Sequence, residues 1–174
     1  MKSTGITRRI DDLGRIVIPK EIRKNLRIKE NEILEIFIEN DSIILKKHSS
    51  FDNMDNLLDE YIKVLKEITS SNVIITNRDK VINASENKKY DYLDKELSEE
   101  ISTYLLNREQ KLSNNLNCIE LIQNNEINTN YYLKPIINDG DILGSIIIFK
   151  DKKIDEKDIY SVEIISKLIV NYMS

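Results

Sequence analysis

Residues 4–23, TGITRRIDDLGRIVIPKEIR, decide how this chain is read. Ile6, Arg8 and Ile10 alternate with Thr7 and Arg9, which predicts a strand over residues 4–10 with Arg8 and Arg9 on opposite faces. Asp11, Asp12, Leu13 and Gly14 interrupt the alternation, and Gly14 is free to take the positive φ of a tight turn. Arg15 follows at the turn, then the β-branched run Ile16, Val17, Ile18 suited to a buried strand. Pro19 reads as the first residue of a helix, since its φ is pre-set and it has no amide to satisfy. Glu21 suits the positive end of that helix. Ile22 and Leu26, four apart, face inward and leave Arg23, Lys24 and Arg27 on the solvent side.

Working outward, residues 32–39 and 42–47 are apolar-rich runs joined by Asn40 and Asp41, which tolerate left-handed backbone and predict a two-residue hairpin turn. A unit of four short strands and one short helix is too small to bury a sufficient core alone, so it is expected to dimerise. Charge is equally uneven. Residues 1–29 hold nine lysines and arginines, Lys2 and Lys29 among them, against three acids, a balance of +6 in a chain whose total is −4. The remainder therefore carries −10. A basic pole on an acidic protein attracts a polyanion to one place. Clustering of the cations around a turn and a helix start is more than solubility requires.

The run from Gly5 through LGRIVIPKEIR to ILKK closely resembles the N-terminal domain of the AbrB transition-state regulators. That resemblance implies a dimeric swapped-hairpin β-barrel that binds double-stranded DNA in promoter regions. It implies DNA contacts at Arg8, Arg15 and Arg23, with basic neighbours at Arg9 and Lys24. Some relatives have arginine at the last position, and lysine there makes a bidentate base contact less favourable. Over its full length the chain is similar to the SpoVT-type sporulation regulators, which join an AbrB-like head to a GAF-like domain. The pieces that carry this are KKYDYL at 88–93 and the 140–149 hairpin. The resemblance implies transcriptional control of sporulation genes.

The rest of the chain fits such a plan. Polar His48, Ser49 and Ser50 mark a boundary between domains over 1–50 and 51–174. Leu57, Leu58, Tyr61, Ile62, Leu65 and Ile68 predict an amphipathic helix over 52–69, and Ile159, Val162, Ile165, Leu168, Ile169 and Tyr172 predict a second over 155–173. Two apolar-faced terminal helices suggest a second self-association surface, hence a tetramer. Between them, strands are predicted over 72–76, 80–84, 117–123, 131–137 and 142–150, with a helix over 93–108. Asn138, Asp139, Gly140 and Asp141 form a turn. The expected class is thus α+β, a swapped-hairpin barrel followed by an antiparallel sheet flanked by helices; pattern alone leaves GAF and PAS topologies open, and the resemblance favours GAF.

Sensor folds of this kind hold small molecules between sheet and crossing helix. Tyr90, Tyr92, Tyr104, Cys118, Tyr131 and Tyr132 are the candidates for lining an effector site, and no effector is identified by them. Cys118, among apolar neighbours, is expected to be a buried inert thiol, and His48 a surface residue at the boundary. One cysteine excludes an intrachain disulfide and a cysteine-cluster metal site. No phosphate loop, HExxH or nucleophile elbow is present, so neither catalytic residues nor a cofactor are expected. No stretch approaches the roughly 20 apolar residues of a membrane span, and no signal-peptide apolar region opens the chain; the expected location is cytoplasmic. Asp11 and Asp12 are expected to hold the arginine loop by pairing. Two other readings stand beside a regulator: an antitoxin with a flexible acidic tail, and a GAF-type enzyme with an oligomerising head.

Overall fold

In the computed structural model, residues 4–28, 30, 33–48 and 50–173 are described. Lys2, Lys29, Glu32 and Ser49, used above in the charge count, the hairpin and the boundary, lie outside them. The chain divides into two compact units, Met1–His48 and Ser49–Ser174.

In the first unit the turn is closed by Gly14 N donating to Asp11 O at 3.0 Å and Asp11 N to Arg15 O at 3.1 Å, with Gly14 at φ +76°. Helix α1 (Lys20–Asn25) starts behind Pro19, whose carbonyl accepts from Arg23 N at 2.9 Å. It ends in a Schellman motif: Ile28 N donates to Arg23 O, Arg27 N to Lys24 O, and Arg27 takes the left-handed backbone at φ 52°. Strands β1 (Leu34–Glu39) and β2 (Ser42–Lys47) pair antiparallel from Leu34↔Lys47 to Glu39↔Ser42, with Asn40 at φ 53° in the two-residue turn. Residues 4–10 and 16–18, expected as strands, pair with no ladder among the described residues of one chain. Their apolar side chains lie bare: Ile10 is 62% and Val17 73% exposed. Indeed Pro19 is the only buried residue among those described in this unit.

The second unit is built on a five-stranded antiparallel sheet in the order β4-β3-β7-β6-β5. Its strands are β3 (Asn72–Thr76), β4 (Val81–Ala84), β5 (Lys111–Ile122), β6 (Asn125–Asn138) and β7 (Asp141–Lys150). Alternation of side chains along each strand splits the core into two layers. On one face Val73, Ile75, Tyr132, Ile146 and Ile148 pack against helices α2 (Asp55–Thr69) and α5 (Glu156–Met173). On the other, Ile74, Leu121, Leu133, Ile147 and Phe149 pack against α3 (Lys89–Tyr92) and α4 (Glu99–Leu106).

Three differences from the sequence reading have local causes. The single helix expected over 93–108 is shortened to Glu99–Leu106, because Asp94 is left-handed at φ 62° and Glu96 and Leu97 bridge to Lys80 and Ile122; Ser98 then caps α4 by accepting from Ile101 N at 3.2 Å. Strands β5 and β6 begin about six residues earlier than 117 and 131, since polar residues alternate with Ile119, Leu121 and Ile127 along a solvent-facing edge. A bulge between Ser113 and Asn117 adds Leu116 at φ 46°.

One contact fixes the sheet centre. A Cβ added at Gly144 of β7 would stand 1.8 Å from Thr76 O and 2.9 Å from Asn77 Cα, so backbone occupies the space a side chain needs. Gly144→Ala is expected to destabilise this unit by about 3 kcal/mol through overpacking, read as a melting temperature lowered by roughly 10 °C in thermal unfolding followed by circular dichroism.

Candidate nucleic-acid interface

The arginine turn is organised by one carboxylate. Asp11 Oδ1 accepts from Arg15 N at 2.7 Å and from Leu13 N at 3.1 Å, while Arg15 Nε donates to Asp11 Oδ2 at 2.8 Å. Arg15 nevertheless remains 70% exposed at its side chain, so the clamp orients a guanidinium without hiding it. The Arg15 amide, then its guanidinium, hold the Asp11 carboxyl below the usual carboxylate range. Asp12, expected to share this duty, makes no ion pair among the described residues; Asp11 alone has the Asx-turn geometry that reaches both amides.

Arg8 and Arg9 precede the turn and are exposed; Arg8 Nη1 donates to the Thr7 carbonyl at 2.8 Å. Arg23 and Lys24 occupy the last turn of α1, also exposed. Among the described residues Arg9, Arg23 and Lys24 have no ion-pair partner. Five unneutralised or solvent-facing cations on one small unit are the donor set that phosphate oxygens and guanine edges require. His48 instead pairs with Glu35 at 2.7 Å within the hairpin region, as a surface residue.

Of the expected effector residues, Tyr104, Cys118 and Tyr131 line one cleft, and Tyr90, Tyr92 and Tyr132 lie apart from it. Tyr90 is 97% exposed. Tyr132 lies on the α2/α5 face, its hydroxyl 3.5 Å from Glu163 Oε1 and pushed up to about 12 by burial and that carboxylate. Tyr92 and Tyr131 lie on the opposite face, and Tyr104 Oη donates to Glu100 Oε1 at 2.9 Å there. Cys118 is exposed, contrary to expectation, because Ile119 and Leu121 take the inward positions of edge strand β5 and leave Cys118 facing outward. Residual desolvation and the nearby Glu126 carboxylate raise its thiol, which disfavours the reactive thiolate. Between the sheet and α4 the space is filled by Leu97, Ile101 and Leu105. Among the described residues, clefts at its margins include one of about 320 Å³ lined by Tyr104, Cys118 and Tyr131 beside Glu100 and Lys111, and one of about 530 Å³ beside Lys88 and Lys152. No group of three potential metal ligands occurs among the described residues, and no described helix is long and apolar enough to cross a membrane.

Known proteins group around both halves. Residues 53–173 match the family model described as stage V sporulation protein T C-terminal, transcription factor, and residues 7–53 match the model described as antidote-toxin recognition MazE, bacterial antitoxin. Stage V sporulation protein T of Bacillus subtilis is 39% identical over 176 residues, covering 99% of both chains. The transition state regulatory protein AbrB of the same organism is 56% identical over 48 residues, 28% of this chain and 50% of that one. The cofactor-binding GAF domain of the nutrient sensor CodY from Clostridium difficile has the same fold as the second unit, with a TM-score of 0.51 at 18% identity, covering 67% of this chain and 83% of that one.

The clamp gives a titration signature. A carboxyl held low in the folded chain adds stability above its unfolded value, and that stability is lost as pH falls through the folded value. In Arg15→Gln the Asp11 midpoint, followed by carboxyl carbon NMR, is expected to rise yet stay low, because the residue 15 amide still donates.

Proposed function

The chain belongs to the family of stage V sporulation protein T, as a DNA-binding transcriptional regulator of sporulation with a GAF-like C-terminal domain, and we propose that Arg8, Arg9, Arg15, Arg23 and Lys24 are the residues that grip the duplex. The observation that carries this assignment is a set of exposed cations, four of them arginines, on a unit that buries only Pro19 among its described residues. Arginine bridges O6 and N7 of guanine, whereas Lys24 contributes a less directional phosphate contact. Asp11 orients Arg15 and stays off the DNA, where its charge would meet phosphate.

The head acts as a dimer. Ile36, Ile38 and Ile43 of the hairpin are 69%, 82% and 66% exposed, and with Ile10 and Val17 they form apolar surface that a second copy covers. Burying each such side chain is worth about 1.5–3 kcal/mol. A two-fold head presents the arginine turns twice, matching two half-sites on a duplex. A second association runs through the other unit. On α5, Tyr160, Ile164, Leu168 and Tyr172 recur every four residues and are 61%, 59%, 42% and 63% exposed, beside Val64 and Ile68 of α2 at 41% each. This stripe pairs dimers into a tetramer. The C-terminal unit modulates that assembly in the cytoplasm in response to a small molecule and performs no catalysis.

The antitoxin reading draws on the head alone, where residues 7–53 match an antitoxin model. A folded second unit with a two-layered core speaks against a flexible toxin-binding tail.

A sporulation promoter fragment is expected to be retained against bulk competitor DNA, with log affinity falling against log salt at a slope of roughly −5 to −7, for six to eight neutralised phosphates per dimer. Arg15→Glu is expected to abolish that binding with unchanged circular dichroism; a folded variant that still binds removes Arg15 from the grip. Ile164→Glu combined with Leu168→Glu is expected to halve the mass measured by sedimentation while leaving the head dimer intact.

A further inference from the structure

Three hydrogen bonds tie residues 11 and 15 together: Asp11 N donates to Arg15 O at 3.1 Å, Arg15 N to Asp11 Oδ1 at 2.7 Å, and Arg15 Nε to Asp11 Oδ2 at 2.8 Å. The backbone of Arg15 and the near end of its guanidinium are therefore both held, and the methylenes between them have little rotational freedom left to lose on docking. An arginine has five N–H donors. One is spent on the clamp; those on Nη1 and Nη2 meet no acceptor among the described residues, and the side chain is 70% exposed. What the turn offers a partner is a planar fork in a fixed place.

The other cations of the candidate grip are held differently. Arg8 turns Nη1 back onto the Thr7 carbonyl at 2.8 Å, spending a donor of its own fork. Arg9, Arg23 and Lys24 have no side-chain hydrogen bond or ion pair among the described residues. An untethered side chain swings to whichever phosphate lies near when a base is wrong, so it adds affinity for every sequence. A clamped fork cannot move away. Opposite a wrong base its donors stay unmet, and that sequence is penalised. The clamp also cancels charge: Arg15 and Asp11 sum to zero, so the pair adds little to sequence-blind attraction, while the planar fork fits O6 and N7 of guanine.

We propose that Arg15 is the base reader of this head, setting Nη1 and Nη2 against O6 and N7 of one guanine for each protomer, and that Asp11, which stays off the DNA, is the positioning residue that makes the contact selective. Arg9, Arg23 and Lys24 then supply sequence-blind phosphate contacts. This division of labour rests on the DNA grip proposed above and assigns the roles within it.

The test takes a promoter fragment that the full-length protein retains and replaces its guanines, one at a time, by 7-deazaguanine, which lacks N7 and keeps O6. One guanine in each half-site is expected to matter, the affinity falling roughly five- to tenfold as one acceptor of a bidentate contact is lost. Inosine at the same place lacks only the minor-groove amino group and is expected to change nothing. In Asp11→Asn the amide oxygen still accepts from the amides of residues 13 and 15, so the turn is kept, but the Oδ2 that held Nε is gone. With unchanged circular dichroism, this variant is expected to bind bulk competitor at least as tightly as the parent and to lose the 7-deazaguanine penalty, its promoter-to-competitor ratio falling about tenfold. Arg15→Lys, which keeps the charge, is expected to lose the same penalty at an unchanged salt slope. The proposal is overturned if no guanine is sensitive, if inosine costs as much as 7-deazaguanine, or if either variant discriminates like the parent. A parent that does not prefer the promoter fragment to competitor sinks the DNA assignment itself; a parent that prefers it without any guanine penalty sinks only the roles given to Arg15 and Asp11.

Discussion

A polypeptide unit whose described residues bury one proline and leave Ile10, Ile16, Ile36, Ile38 and Ile43 exposed to water cannot persist alone. That is the constraint on which the Met1–His48 unit turns: the local geometry is complete, with a closed turn, a capped helix and a fully registered hairpin, yet the apolar side chains have no interior to enter. Local hydrogen bonding specifies the shape, and the core is left to the association proposed above. In the dimer proposed above, cationic side chains are displayed on a scaffold whose stability and whose two-fold symmetry arise from the same event.

The Ser49–Ser174 unit is the opposite case. Its sheet is buried on both faces, and the alternation of Ile74, Ile147 and Leu133 against Ile75, Ile146 and Ile148 assigns each strand position to one helical layer or the other. Helix α5 has two duties at once: Val162, Ile165 and Ile169 face the sheet, while Ile164 and Leu168 face out. Exposed apolar surface is thereby kept beside a complete core.

Features written in contiguous residues were legible in the sequence. The Gly14 turn, the Asn40 turn, the helix after Pro19 and the amphipathic stripes of α2 and α5 all follow from local rules, and so does the concentration of arginine around them. Where a long-range partner decides, the reading was incomplete. Residues 111–116 look like a polar loop until β6 pairs with them. Residues 93–98 look helical until Lys80 and Ile122 draw them into bridges. Cys118 has apolar neighbours in sequence, but a strand's period of two sends it outward, and the same period separates Tyr131 from Tyr132. In the candidate DNA grip the residue types were evident from charge and spacing, whereas the division of labour between Asp11 and Asp12 depended on which carboxylate the turn aims at the Arg15 amide.

Gly144 has a mechanical consequence. With Thr76 backbone filling the place of its missing side chain, and the Thr76 and Ser145 hydroxyls bonded 2.8 Å apart in the interior, strands β3 and β7 are interlocked at mid-sheet. Sliding one past the other would drive backbone into backbone, so the sheet behaves as a stiff plate. Any conformational message in this domain must travel around the rim, by pivoting of the helices about the plate.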